Sequence, residues 1–334
     1  MRRLLLGILA LSLTADLSGL AEDSARRTET LQAVERASEF LQTDGRAWYE
    51  GEIDIQKEGC VSCHQVPSGL WSLAVADRTL HRNPSDQFLS LLNDANQFVT
   101  DPDEDNSPAA AVSQLLLANA AYMRPDTPSS ADDLTTLVRL ALESQRDDGT
   151  WKSAGQFPSQ RRPIRESDLV VSMWMIRGLE HSADKGSEIS RAVAKARQAI
   201  QQSDGVSTEW LAWRILTEPD HSNAMVLGQQ LVQRQRGDGS WGFLVDSVGD
   251  PYSTGVALFA LSERDMKESV SSVRLAVDYL MSCQQDDGSW TFEAGLISKK
   301  SSYSRDYVYR YWGTAWATLG LAASLEAPSQ SGAE

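Results

Sequence analysis

Cys60-Val61-Ser62-Cys63-His64 concentrates more reactive side-chain chemistry into five residues than any other stretch of this 334-residue chain. Two thiols three residues apart on a helical turn can each bond one haem vinyl group, and the adjacent imidazole then lies beneath the iron as proximal ligand. The same residues could also form a local disulfide, a redox dithiol or part of a zinc site. Tetrahedral zinc needs a fourth ligand, which is not nearby, and a redox dithiol has no need of the histidine. The expectation is covalent haem c held by Cys60 and Cys63, with His64 on the iron. A reduced-minus-oxidised spectrum, and loss of its bands in His64→Ala, would test it.

Other residues could serve such a centre. Lys299, Lys300, Tyr303, Tyr307 and Tyr309 in a long C-terminal segment, and Met173 and Met175, are candidates for the sixth iron position. Arg161, Arg162 and Arg165 could meet propionates. His81, His181 and His221 are expected at helix ends without a nucleophile to activate, since no Gly-x-Ser-x-Gly turn accompanies them. Cys283 is the third and last cysteine, so a disulfide framework is not indicated.

Composition narrows the class. A formal charge of −15 opposes nucleic-acid or anionic-membrane binding. The hydrophobic fraction of 41% is enough for a sizeable core. Residues 1–21 have the layout of a secretory leader: basic Met1-Arg2-Arg3, the apolar run Leu4 to Leu13, and small Gly19 and Ala21 before a cleavage point. The expectation is an exported protein, periplasmic or secreted, that is not an integral membrane protein. Haem attachment after export agrees with that.

The elements that position these residues repeat. Gln145-Arg-Asp-Asp-Gly-Thr-Trp151, Gln235-Arg-Gly-Asp-Gly-Ser-Trp241 and Gln284-Gln-Asp-Asp-Gly-Ser-Trp290 share one pattern, Gln-x-x-Asp-Gly-x-Trp. Looser copies are Gln42-Thr-Asp-Gly-Arg-Ala-Trp48 and Gln202-Ser-Asp-Gly205 followed by Trp210. An amphipathic helix precedes each copy, such as 134–145, 224–235 or 273–284. The Asp-Gly step should end it, because glycine takes the left-handed conformation readily. A second, more apolar helix follows, as in 168–176, 253–261 and 313–321, and a helix apolar nearly all round is a buried one. Degenerate units at 28–80, 86–121 and 189–216 complete six helix pairs, at a period of roughly forty to sixty residues.

The motif resembles the QW repeat of squalene-hopene and oxidosqualene cyclases, and the pattern extends to protein prenyltransferase β subunits. That resemblance implies an all-α fold, an α6/α6 toroid of six helix hairpins in inner and outer rings. The expected organisation is a leader at 1–21, one toroid at 22–326 with the haem loop at 58–69, and a disordered tail at 327–334. Gln, Asp and Trp of the motif are expected to hold helix ends and pack between units rather than to react. The haem loop would join the first outer and inner helices, at the barrel mouth.

The relatives' chemistry is not matched residue for residue. The Asp-x-Asp-Asp acid of class II terpene cyclases has its nearest approach in Asp101-Pro-Asp103-Glu-Asp105-Asn106, with Asn at the last place. Asp250-Pro-Tyr252-Ser253 lacks the cysteine of the prenyltransferase zinc segment, and Tyr309-Arg-Tyr311-Trp312-Gly313 replaces its histidine. The expected function is therefore redox: electron transfer, or haem-linked sensing or catalysis, with a redox protein as partner. The alternatives are a terpenoid-cyclase-like or prenyltransferase-like enzyme or hydrophobic-ligand binder using the central cavity, and a non-catalytic interaction scaffold. Inward-facing Trp71, Trp174, Trp213 and Trp316 would favour an apolar ligand. A cavity filled by those rings would favour a scaffold.

Overall fold

The computed structural model describes residues 2–51, 66–101, 108–122, 131–153, 163–182, 186–266, 269–292 and 305–326. Among them are twelve helices. Six are outer: α1 (Arg2–Tyr49), α3 (Asp86–Thr100), α5 (Ala131–Glu143), α7 (Ser187–Gln201), α9 (His221–Gln233) and α11 (Val270–Cys283). The inner six are α2 (Val66–Thr79), α4 (Ala109–Tyr122), α6 (Ile164–His181), α8 (Thr208–Thr217), α10 (Pro251–Glu263) and α12 (Arg305–Glu326). Each inner helix packs on the next, and α12 packs on α2, so the inner ring is closed. This is the expected α6/α6 toroid. Two short antiparallel strands, β1 (Trp241–Gly242) and β2 (Gly249–Asp250), clip the loop before α10.

The division into rings follows from side-chain pattern. Outer helices such as α7 bury one stripe, Ile189, Ala192, Val193, Ala196 and Ile200, and leave the rest to solvent. Inner helices are buried nearly all round; α10 buries every residue from Pro251 to Ser262. Small residues let them approach. A Cβ on Gly255 would lie 2.4 Å from the carbonyl oxygen of Trp316, so α10 and α12 meet backbone to backbone. Ser72 Oγ donates to Ala315 O at 3.0 Å and Thr79 Oγ1 to Glu326 Oε1 at 2.9 Å, so α2 and α12 run parallel. Inner-helix N-termini, and the loops that lead into them, thus share one end, the mouth.

The three full motifs are built alike. Trp151, Trp241 and Trp290 are fully buried, and each indole Nε1 donates to the carbonyl ten residues back, Ala141, Leu231 or Leu280, at 2.7–2.8 Å. Those carbonyls sit in the last turn of the outer helix, where the regular donor four residues on is lost, although Leu231 O also accepts from Arg234 N at 3.0 Å. The backbone N–H of each tryptophan donates to an inner-helix hydroxyl, Ser172, Thr254 or Thr314, at 2.9–3.0 Å. The Asp carboxylate accepts from the N–H two residues on, and Gly149, Gly239 and Gly288 take φ of +84°, +87° and +85°.

The glutamines do more than hold their own helix. Gln145 Nε2 donates to Gly149 O and to Ala192 O on α7; Gln235 Nε2 donates to Ser272 O in the first turn of α11. Gln284 Nε2 donates to Ala33 O at 2.9 Å, 251 residues away on α1, and so ties the last repeat to the first. The expected roles are thereby exchanged in part: Trp fixes its own outer helix, and Gln bridges to the next one. In the first repeat Asp44-Gly45 does not stop the helix, and α1 continues to Tyr49. There the glycine follows the glutamine by three residues instead of four, so the turn of the full motif is not formed.

Candidate functional site

Four inner helices, α2, α6, α8 and α12, send tryptophans to the axis. With the ring order α2, α4, α6, α8, α10, α12, helices α2 and α8 face each other, as do α6 and α12. Trp71 on α2 nonetheless lies 6.2 Å from Trp213 on α8, and Trp174 on α6 lies 6.1 Å from Trp316 on α12, between ring centroids. Trp71 also meets Trp316 edge-on at 5.4 Å and Phe259 at 5.5 Å. These are favoured aromatic contact geometries. The four tryptophans expected to discriminate between a ligand and a scaffold therefore do face inward, and they also meet across the axis, forming a floor of indole rings.

On the mouth side of this floor lies a second aromatic group. Tyr252, the second residue of α10, stacks on Phe292 at 5.4 Å and contacts Trp312 at 6.1 Å, and Phe243 stacks on it from the other side at 6.4 Å. Tyr309 meets Phe292 edge-on at 4.8 Å. Tyr307 and Tyr309 were expected in a long loop, but they are on α12, which begins at Arg305; Tyr309 is fully buried and Tyr307 stacks on Trp48 at 5.7 Å.

Carboxylates surround this mouth. Glu166 in the first turn of α6 is buried and accepts from Val206 N at 2.9 Å, Ser207 N at 3.1 Å and the Ser207 hydroxyl, capping the neighbouring repeat. Asp168 accepts from Arg146 Nη2 at 2.7 Å and from Ser153 N and Oγ. Asp250 caps α10 through Ser253 N at 2.7 Å and Ser253 Oγ at 2.8 Å. Burial pushes its carboxyl up to about 7, against hydrogen bonds from Ser253, Phe243 and Tyr252 that pull it down. Asp44 lies at the seam between the first and last repeats, where Tyr307 Oη donates to its backbone carbonyl at 3.4 Å. Burial raises its carboxyl to about 6, opposed by Tyr307 and Arg310. Tyr311 fits beside it, its hydroxyl filling the space that a Cβ on Gly45 or Gly69 would need.

The opposite end is closed by ion pairs. Arg78 on α2 pairs with Glu326 on α12 at 2.9 Å, and Arg177 on α6 reaches Glu263 on α10 at 3.0 Å, spanning two places of the ring. His181 belongs to this end, its Nδ1 2.8 Å from Arg177 O, and desolvation lowers its pKa. Other expected site residues disperse. Met173 and Met175 are fully buried in α6. Arg165 pairs with Asp148. Cys60, Cys63, His64, Lys299, Lys300, Tyr303, Arg161, Arg162 and residues 102–107 lie outside the described residues. Among the described residues no group of three or more His, Cys, Asp or Glu side chains could hold a metal ion, and none of their helices is long and apolar enough to cross a membrane.

Comparisons with known proteins fit the toroid. The family described as the squalene-hopene cyclase C-terminal domain matches residues 206–333, from the fourth inner helix onward. No curated protein sequence is matched. A solved structure of a possible GH105 family member from Salmonella enterica is similar, with a TM-score of 0.60 and 14% identity over 90% of this chain and 94% of that one. The type II terpene cyclase MstE from Scytonema, in complex with its substrate geranylgeranyl dihydroxybenzoate, has a TM-score of 0.59 at 12% identity, covering 90% of this chain and 99% of that one. The same enzyme with its product merosterolic acid A has a TM-score of 0.56 at 13% identity, covering 90% and 99%. At such identities these likenesses establish a shared fold. The leading functional expectation is corrected on other grounds: the haem-, iron- and metal-binding reading finds no metal-holding group among the described residues, and the family model that matches is the squalene-hopene cyclase C-terminal domain.

One feature of this site escaped the sequence: Asp44 lies in a degenerate motif copy that suggested only a helix stop.

Proposed function

We propose that this is a terpenoid-cyclase-like toroid that takes up an apolar, isoprenoid-like molecule through its mouth and holds it against the aromatic floor. The observation that carries this is the convergence of Trp71, Trp174, Trp213 and Trp316 from four inner helices, overlaid by Tyr252, Trp312 and Phe292. Aromatic faces offer large apolar contact and a negative quadrupole, which suits polyenes and developing carbocations. The squalene-cyclase family match over residues 206–333 supports the same class of ligand. Asp250, with its carboxyl near 7, is too weak an acid to protonate an isolated alkene, so the chain's own described residues support binding ahead of cyclisation.

Intrinsic tryptophan fluorescence and thermal melts test this directly. Titration with a geranylgeranyl compound is expected to give saturable quenching, and ligand at about a hundred times its Kd should add about 2.7 kcal/mol of stability. The competing reading is a scaffold whose axis is filled by its own side chains, since the four indoles also touch one another. Unchanged fluorescence and melting temperature would select that scaffold.

A further inference from the structure

The chain holds five Asp-Gly steps: Asp44-Gly45, Asp148-Gly149, Asp204-Gly205, Asp238-Gly239 and Asp287-Gly288. Such a step is chemically unstable wherever the backbone lets it close on itself, because glycine has no side chain to hinder the approach. The glycine nitrogen attacks the aspartic acid Cγ; a C–N bond forms, and the carboxyl hydroxyl leaves with the amide proton as water. Water then opens the resulting five-membered imide. Opening at the former main-chain carbonyl breaks its bond to nitrogen and routes the chain through the side chain, as isoaspartate. Opening at Cγ restores aspartate. No oxidant or cofactor takes part.

Four of the five steps are locked. The N–H groups of Gly149, Gly239 and Gly288 donate back to Arg146 O, Arg236 O and Gln285 O at 2.9–3.0 Å. Their carbonyls accept from the motif glutamines at 2.9–3.0 Å. Each aspartate Oδ1 accepts from both the N–H and the hydroxyl of Thr150, Ser240 or Ser289, at 2.6–3.1 Å. Those donors favour the charged carboxylate and hold Asp148 and Asp238 below the usual carboxylate range. Cyclisation runs through the neutral acid, so it is suppressed at these sites. Asp44-Gly45 lies inside α1, where the helical ladder engages the glycine N–H.

Asp204-Gly205 has none of these restraints. It lies in the connection between α7 and Ser207, the cap of α8, and Asp204 is exposed. Among the described residues its carboxylate accepts no hydrogen bond and the Gly205 N–H donates none. A Cβ on Gly205 would lie 2.3 Å from Trp210 Cγ, so packing demands the same glycine that makes the step reactive. The next two residues are the ones that buried Glu166 holds: Val206 N and Ser207 N donate to it at 2.9 and 3.1 Å. Isoaspartate inserts one main-chain carbon just before that contact and shifts both donors. We infer that Asp204-Gly205 is a site of spontaneous succinimide and isoaspartate formation, and that its conversion loosens the contact between the third and fourth repeats at the mouth.

The test ages the full folded protein at neutral pH and maps isoaspartate by peptide mass spectrometry with electron-transfer fragmentation, which separates the two isomers. Residue 204 should convert at least about tenfold faster than residues 148, 238 and 287, which react only when their turns open locally. In urea the same four steps are freed alike and should convert at similar rates. The aged native protein should develop a fraction that melts about 2–6 °C lower, from loss of charge-assisted hydrogen bonds at Glu166. Asp204→Glu would need a six-membered imide, so it should form no product at this position and keep its melting temperature through the same ageing. Conversion at residue 204 no faster than at the three motif sites overturns the site itself. A melting temperature that stays unchanged while isoaspartate accumulates at 204 overturns the loosening of the repeats, as does an equal loss in aged Asp204→Glu.

Discussion

Asp44 offers a stability test whose sign can be fixed in advance. Its carboxyl lies beside Tyr307 and Tyr311 at the seam where the last repeat meets the first, with Oδ2 buried and accepting no hydrogen bond among the described residues. Folding raises its pKa from 3.8 to about 6, with burial as the main cause. The folded state therefore holds this proton more tightly than the unfolded state. Below about pH 4 both states are protonated and the site carries no penalty; stability falls as pH rises from about 4 to about 6, where only the native state keeps the proton, and the loss is complete above the native pKa. Each pKa unit is worth 1.36 kcal/mol, which gives about 3 kcal/mol as an upper value, and partial exposure reduces this to roughly 1–2 kcal/mol. Asn is the neutral isostere. Asp44→Asn should raise Tm by about 2–4 °C at pH 7.5 and leave it unchanged at pH 4, taking roughly 2 °C per kcal/mol for a chain of this size. Calorimetric melts of both proteins across pH 4–8 measure it. Parallel Tm curves, or a gain confined to acid pH, would refute burial as the force that raises this carboxyl's pKa.

Further predictions concern the frame around the mouth. Gln284→Leu removes the donor to Ala33 and Gly288 and should cost about 1–3 kcal/mol in denaturant unfolding, matching Gln145→Leu in equilibrium stability. Asp168→Asn removes the partner of Arg146 and weakens the acceptor of Ser153; a loss of about 2–4 kcal/mol is expected, and one under about 0.5 would show the pair to be idle. Burial pushes the Cys283 thiol up to about 11, so peptide-resolved alkylation at pH 8 should find it far slower than a free thiol until the protein is unfolded.

The repeat pattern made most of the architecture legible. Gln-x-x-Asp-Gly-x-Trp names its own local geometry: the Asp and Gly form a turn, and the Trp must be buried, so three copies were enough to set the period and find the degenerate units. The exception was Asp44-Gly45, where one missing residue between Gln and Gly left the helix to run on to Tyr49. Tyr307 and Tyr309 were misplaced for a related reason. Their segment has little helical patterning of its own, and burial against Trp48 and Phe292 fixes it.

The sequence by itself determined the helix pairs, their number and their sorting into a buried and an amphipathic ring, because those depend on local periodicity and turn chemistry. It also contained the Cys60–His64 pattern, whose residues lie outside those described. Only the tertiary structure decided that Gln284 closes the ring on Ala33 and that Trp71 and Trp213 meet across the axis. Those are contacts between residues 142 and 251 positions apart. No local pattern encodes them; they arise because closing six hairpins into a toroid brings every inner helix to one axis.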